Sequence, residues 1–486
     1  MVCSVNGFRA GSATLCVWLL VSVLAMGPAS LRAAEERSST APLTLQEVLE
    51  SVTSRYPPLL AALIEQDVVS GRLRQAEGAF DTNVNANLSG AAAGYYDGNG
   101  GYAFLEQALQ SWGAKVYGGY RLSSGFLPNY NLQRTPTDGQ VTAGVRLSLL
   151  RDGRIDRNRA SLAQARIDQA LADPFILRQR IDFVRAATIS YYGWVSAGFR
   201  LRTAEQLLRV ANERDVALAE QVRRGAIAPI VRTDNERLVI SRQLAVVQAQ
   251  RRLEAATIEL SLFLRDGQDR PVLASRTRLP ADFPPLSKID PGALSRDLEQ
   301  AYALRPELQA IALSIQKLEI ENSLARNDML PNLDVALEAR QSPTGKRLED
   351  IEAFEAKAAI ELRVPLQRRD AKGRVQVSES QIRRLRTDMQ FARDRIAADV
   401  RDAYSALAAA VLQAAQARRN VELAVLLEDA ERLRFQQGAT DLLALQIREQ
   451  ATFDARLGEV DAIAEYFRAL AVYRAAIGGD AAPVSR

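Results

Sequence analysis

The side chains whose type and spacing could do chemistry are acids just past two glycine-centred turns. Asp234 and Glu236 follow Arg224-Gly225-Ala226, and Glu449 follows Gln437-Gly438-Ala439-Thr440-Asp441, with Glu236 and Glu449 at equivalent places after their turns. Carboxylates brought together in several copies can hold cations. The plainer alternative is a solvated helix-surface charge paired with Arg237 or Arg448.

Other chemistry is poorly supplied. The chain has no histidine, two cysteines and four methionines. Cys3 and Cys16 fall in an N-terminal stretch read below as removable, which leaves Met329 and Met389 as the methionines beyond it. A soft or borderline metal site needs thiolate or imidazole, so no metal is expected, nor a histidine base or hydrolase triad. The Gly94 to Gly101 stretch reads as an outer loop and not as a phosphate cradle, and no cofactor is expected. Gly193 and Gly198 lie in a helical pattern and read as points of close packing. The formal charge of +4, less Arg9 and Arg32, leaves +2, which calls for no nucleic acid.

The elements that would position the acids are long. Residues 1–33 read as a signal peptide: Arg9, an apolar run from Thr14 to Ala25, then small residues and a proline before Ala33. That run is shorter than the roughly 20 apolar residues of a spanning helix. Cys16 is not read as a lipidation site, because Leu15 before it is too bulky and the apolar run continues past it. Beyond it two halves resemble each other. Glu50 to Leu59 parallels Glu299 to Leu308, Asn83-Val84 falls on Asn332-Leu333, and Arg224-Gly225-Ala226 parallels Gln437-Gly438-Ala439. The first half is read as 34–265, with strands over about 83–149 and a helical hairpin over 153–265. After a Pro-rich linker at 266–291 the second covers 292–478, with strands over about 332–364 and a hairpin over 368–478, leaving a tail at 479–486. A helical run of about 70 residues is roughly 105 Å long, wider than a compact domain. Pro174 should kink the first run or start a new helix.

The strand segments alternate apolar and polar residues. Val84, Ala86 and Leu88 do so, as do Trp112 to Leu122, Val141 to Leu149 through Val145 and Leu147, Leu333 to Ala339 through Leu337, and Phe354 to Val364 through Ile360 and Leu362. Segments near the 9 to 11 residues that cross a bilayer at a tilt, with one face for lipid and one for a wet lumen, fit a membrane barrel (about 9 to 11 residues per strand). Val145, Leu147, Leu337, Ile360 and Leu362 are the expected lipid-facing positions. Tyr95, Tyr96, Tyr102, Phe104, Trp112, Tyr117, Tyr120, Phe126 and Tyr130 cluster here, as aromatics do at membrane interfaces. Export together with a barrel means a bacterial outer membrane.

Helices flanking a strand block on one side of the membrane require an even number of crossings in it. The second block has two; the first shows three candidates, so Trp112 to Leu122 is read as an extension or outer loop. Four crossings cannot close a channel, since the smallest single-chain barrels have about eight strands, so the open edges must pair with other copies.

The duplicated Tyr56-Pro57-Pro58-Leu59 and Arg305-Pro306-Glu307-Leu308 helix starts, the strands-then-long-helix order and the paired Gly225 and Gly438 turns resemble the TolC family of outer-membrane efflux proteins over essentially the whole chain. The resemblance implies a mainly α protein with β: a homotrimer whose four strands per protomer make a twelve-stranded barrel continuing into an α-helical tunnel. It implies an exit duct of a tripartite efflux or type I secretion system, giving passive passage to substrates from an inner-membrane pump through a periplasmic adaptor. Gly225, Ala226, Gly438, Ala439, Thr440 and Asp441 would then be the adaptor-docking tips. Where well-known members carry gating acids, this chain has Ala444 and Ile447, so Asp234, Glu236 and Glu449 are the acids that could substitute. The competing reading, a periplasmic coiled-coil scaffold without a pore, leaves the alternating strands unexplained, and an enzyme has no residue pattern behind it.

Overall fold

The structure, a computed structural model, describes residues 41–90, 93–95, 97–127, 134–287, 290, 292–348 and 351–479. The expected signal peptide, the tail after Gly479, and Tyr96 and Tyr130 lie outside them.

Helix α1 (Leu45–Arg55) is started by Thr44, whose hydroxyl accepts the Glu47 amide at 3.2 Å. Tyr56 then takes an extended backbone, as a residue before proline must, and Pro57 opens α2 (Pro57–Glu77) from the first helical position, where its missing N–H costs nothing. Four strands follow: β1 (Asn83–Gly90), β2 (Asn99–Ala108), β3 (Lys115–Ser124) and β4 (Gln140–Ser148). The first hairpin is α3 (Arg157–Arg223) and α4 (Pro229–Ser261). Beyond the connector come α5 (Ala293–Leu304) and α6 (Pro306–Asn327), with Arg305 extended before Pro306. The chain ends with β5 (Asn332–Gln341), β6 (Phe354–Arg363), and the second hairpin of α7 (Arg369–Gln436) and α8 (Leu442–Ala476).

With 67 and 68 residues, α3 and α7 are each about 100 Å long at ~1.5 Å per residue. Pro174 does not start a new helix: α3 runs unbroken through it. Its neighbours Ala172 and Ile176 are buried against Ala62 and Val69 of α2. Packing along a helix of this length outweighs the ~3 kcal/mol that an interior proline costs.

The strands form one antiparallel sheet in sequence order, with β4–β5 joining the halves. The expected four strands per chain are therefore corrected: among the described residues the sheet has six. The strand that sequence alternation missed is β2, which begins inside the glycine stretch read as a loop. Its Asn-Gly-Gly start is a turn signal, and Tyr102 and Phe104 stand on the same face as Glu106, so Tyr-Ala-Phe-Leu reads as an apolar run. The segment Trp112 to Leu122, read as an extension or outer loop, is corrected as well: most of it is strand β3, paired with β2 on one side and β4 on the other. It begins only at Lys115, because Trp112 has a left-handed backbone (φ 59°) in the β2–β3 turn, followed by Gly113, also at φ 59°. With four strands in the first half and two in the second, each block still returns to the side it left.

The core lies where the two hairpins cross the short helices and the connector. Trp194 and Val195 of α3, Leu260 of α4, Val400 of α7, Tyr466 of α8 and Val48 of α1 are all essentially without exposure. Tyr192 stacks on Phe467 at 4.0 Å between ring centroids, and Phe283 of the connector packs edge-on against Phe199 at 4.8 Å. Gly198 permits this approach, because a Cβ there would lie 2.5 Å from the Leu279 methyls. Gly193, also expected at a close contact, would meet nothing within 4 Å.

Candidate functional site

The pairing register sorts the sheet into two faces. One rung runs Val84, Leu105, Gly118, Ala143, Ala339, Ala356. Further rungs on the same face carry Val116, Val145, Leu337 and Ala358, then Leu147, Val335 and Ile360, then Leu333 and Leu362. All five expected lipid-facing positions thus share one apolar face. Among the described residues nothing covers it: Leu88 is 90% exposed and Ile360 74%.

The opposite face is polar and bonded across strands. Across strands Tyr117 donates to Glu338 Oε2 at 2.7 Å, and within β5 Arg340 Nε donates to Glu338 Oε1 at 2.6 Å. Ser148 Oγ donates to Asp334 at 2.7 Å, and the Arg121 guanidinium lies 5.8 Å from the centre of the Phe104 ring. Here the strand alternation places charge where water or a polar lumen can solvate it.

At the end of the sheet away from the helices, Asp138 ties the β3–β4 loop to the β5–β6 loop. Its carboxylate accepts from the Thr344 hydroxyl, the Thr344 amide at 2.9 Å and the Ser342 hydroxyl at 2.9 Å. The Thr344 hydroxyl bond, foremost, holds the carboxyl down to about 2. The folded value lies below the ordinary ~3.9, so the clamp is intact above that and is lost as pH falls toward the folded value. In Asp138→Ala the Thr344 amide is expected to lose hydrogen-exchange protection at neutral pH; unchanged protection would show that the loops are held by other contacts.

The other end of the molecule carries the two turns. Gly225 and Gly438 adopt φ of 70° and 72°. The Gly225 amide donates to Val222 and the Ala226 amide to Gln221; Gly438 donates to Phe435 and Ala439 to Arg434, all at 2.9–3.0 Å. This double bond pattern satisfies the last carbonyls of α3 and α7. Asp441 caps α8, its carboxylate accepting from the Ala444 amide at 2.8 Å, whereas α4 starts with Pro229 and no side-chain cap. Gly225, Ala226, Gly438, Ala439 and Asp441 are exposed and Thr440 is half-buried. Open space surrounds both glycines, so they are required for their backbone conformation. Gly438→Ala is expected to cost about 1–2 kcal/mol locally, seen as faster exchange of the Ala439 amide with the rest of α7 unchanged.

The three acids part company. Asp234 is exposed and lies 3.9 Å from Arg237, and Glu236 is exposed and 3.2 Å from Arg232. Glu449 is 5% exposed and bonded to Arg214 of α3, not to Arg448. Its carboxylate is a link between the two hairpins and does not reach the surface. Sequence reading missed Arg214, and nothing local marks it. Beside it Arg242 lies 5.7 Å from the Phe453 ring centre, and Asn235 is fully buried, donating to the Ala211 carbonyl and to Asp215 at 3.3 Å.

Among the described residues no helix is long and apolar enough to cross a membrane. No family model matches the sequence, and no curated protein matches it. Solved structures do. The open-state MtrE outer-membrane channel of Neisseria gonorrhoeae superposes with a TM-score of 0.64 at 16% identity, over 89% of this chain and 88% of that chain. The fold is that of the TolC-like outer-membrane channels. The CmeC outer-membrane channel of Campylobacter jejuni shares it at a TM-score of 0.64 and 13% identity over 90% of this chain and 86% of that one. The outer-membrane protein VceC of Vibrio cholerae does so at 0.61 and 14%, over 89% and 96%. In the TolC-like fold the two-faced sheet and the paired tips mark opposite ends of one elongated molecule.

Proposed function

We propose that this chain is one of three identical subunits of an outer-membrane channel, an exit duct through which substrates pass passively from a periplasmic adaptor and an inner-membrane pump. The observation that carries the reading is the sheet: an uncovered apolar face, a bonded polar face and two open edges, carried on helices of about 100 Å. The likeness in fold to outer-membrane efflux channels supports it.

Val145, Leu147, Leu337, Ile360 and Leu362 meet lipid in this reading, and the polar face lines the pore. The Gly225-Ala226 and Gly438-Ala439-Thr440-Asp441 turns form the tips that receive the adaptor. Ile230, Leu443 and Ile447, all exposed beside those turns, add the apolar area that such docking needs. Asp234 and Glu236 remain the acids available to an entrance ring.

Fractionation tests the reading. The protein should stay with outer membranes through a high-salt wash and leave them in detergent as a trimer. Release by salt as a soluble single chain would support the poreless periplasmic scaffold instead.

A further inference from the structure

We propose that three copies close an eighteen-stranded barrel, in which β6 of one copy pairs with β1 of the next so that Arg363 faces Asn83 and Ala356 faces Gly90. This rests on the trimeric channel reading and goes beyond it in strand number and register.

Strands β1 and β6 are the two ends of the sheet, and each pairs along its full length with its inner neighbour. Neither contains proline or a bulge, the devices that blunt an edge meant to stay free. Six strands in antiparallel order leave β6 running opposite to β1, so a copy-to-copy junction is antiparallel as well.

The register follows from drift within the sheet. Below the Val84–Ala356 rung, on the helix side, β1 extends one residue to Asn83, while β6 extends seven to Arg363. Above it β1 reaches six residues to Gly90 and β6 two to Phe354. The strand midpoint therefore slides five residues over five steps, an average of one per strand. Carried one step further, the next copy's β1 sits six residues below its own first rung, which sets Val84 against Leu362, Ala86 against Ile360 and Leu88 against Ala358. On the other face Asn83 meets Arg363, Asn85 meets Glu361 and Ser89 meets Lys357. The whole of β1 is paired, no like charges oppose, and the even offset keeps every apolar residue on one face.

A drift of one residue, ~3.4 Å, per strand spacing of ~4.8 Å is a tilt of about 35°, inside the roughly 35–45° of closed barrels. Width agrees too. Helices α2, α3, α6 and α7 adjoin the strands and pack in that order, so each copy presents an arc of about 32–40 Å at ~8–10 Å per helix. Six strands at that tilt cover about 35 Å and four only about 23 Å. With β2 and β3 in the wall the sheet meets its own helices without a step, and the closed barrel is roughly 34 Å across between backbones.

Cysteine pairs in the full chain test this, its only natural cysteines being Cys3 and Cys16. Oxidised Asn85→Cys/Glu361→Cys should give covalent dimers and trimers on non-reducing gels that collapse to single chains with reductant. Asn85→Cys/Lys357→Cys, displaced by about 14 Å along the strand, and Asn85→Cys/Arg146→Cys, separated by β2 and β3, should give none. An Asn85→Cys/Phe104→Cys pair, opposed within one chain, reports that the variants fold. Links from Asn85 to Lys357 overturn the register, and links to Arg146 overturn the strand count. A folded trimer without the Glu361 link overturns the junction. In all of these the channel reading still stands. A single-copy species in detergent overturns both.

Discussion

Ile360→Arg should remove the protein from the outer membrane, while Glu361→Arg, one residue further along β6, should leave it there. Ile360 is three-quarters exposed on the apolar face, beside Val335. An arginine at the bilayer midplane on the lipid side of a barrel costs about 2–4 kcal/mol per chain, and three chains each incur it. Glu361 projects from the polar face, where a cation can be solvated or can pair with Asp334 opposite it. The measurement is the fraction of SDS-resistant trimer in washed outer membranes. Equal trimer yields for the two variants would mean that the apolar face does not meet lipid.

Arg214→Met should destabilise the helical part by about 3–5 kcal/mol, the usual consequence of stripping one partner from a buried ion pair. Glu449 is nearly inaccessible and Arg214 is the cation that holds it. The double variant Arg214→Met/Glu449→Leu should regain most of the loss, since two apolar side chains tolerate the site that a lone carboxylate does not. Asp234→Ala and Glu236→Ala, on the exposed surface, should stay within about 0.5 kcal/mol of the parent. Denaturant unfolding of the detergent-solubilised protein followed by helical circular dichroism reads all four. If Arg214→Met unfolds like the parent, the carboxylate of Glu449 is free to face the entrance after all.

The two acids after the second-half and first-half turns illustrate why sites were less legible than elements. Glu236 and Glu449 look equivalent in sequence, yet one is exposed beside Arg232 and the other is buried against an arginine 235 positions away. Equivalence along the chain says nothing about which face of a helix the other hairpin covers.

Elements were read well wherever their signal is local. Helix ends are written in Pro57, Pro306, Gly225, Gly438 and Asp441, because backbone conformation and capping bonds involve residues within one turn. Strands β1, β4, β5 and β6 were legible because their apolar residues fall on one face at every second position. Strand β2 was hidden because Tyr102 and Phe104 stand on the polar face beside Arg121, which offers the Phe104 ring a cation, so apolar side chains occur at consecutive positions. The continuity of α3 through Pro174, the burial of Glu449 and the sixfold sheet were decided only by tertiary structure. Each depends on a neighbour brought from far along the chain, and packing or pairing with it outweighs the local preference.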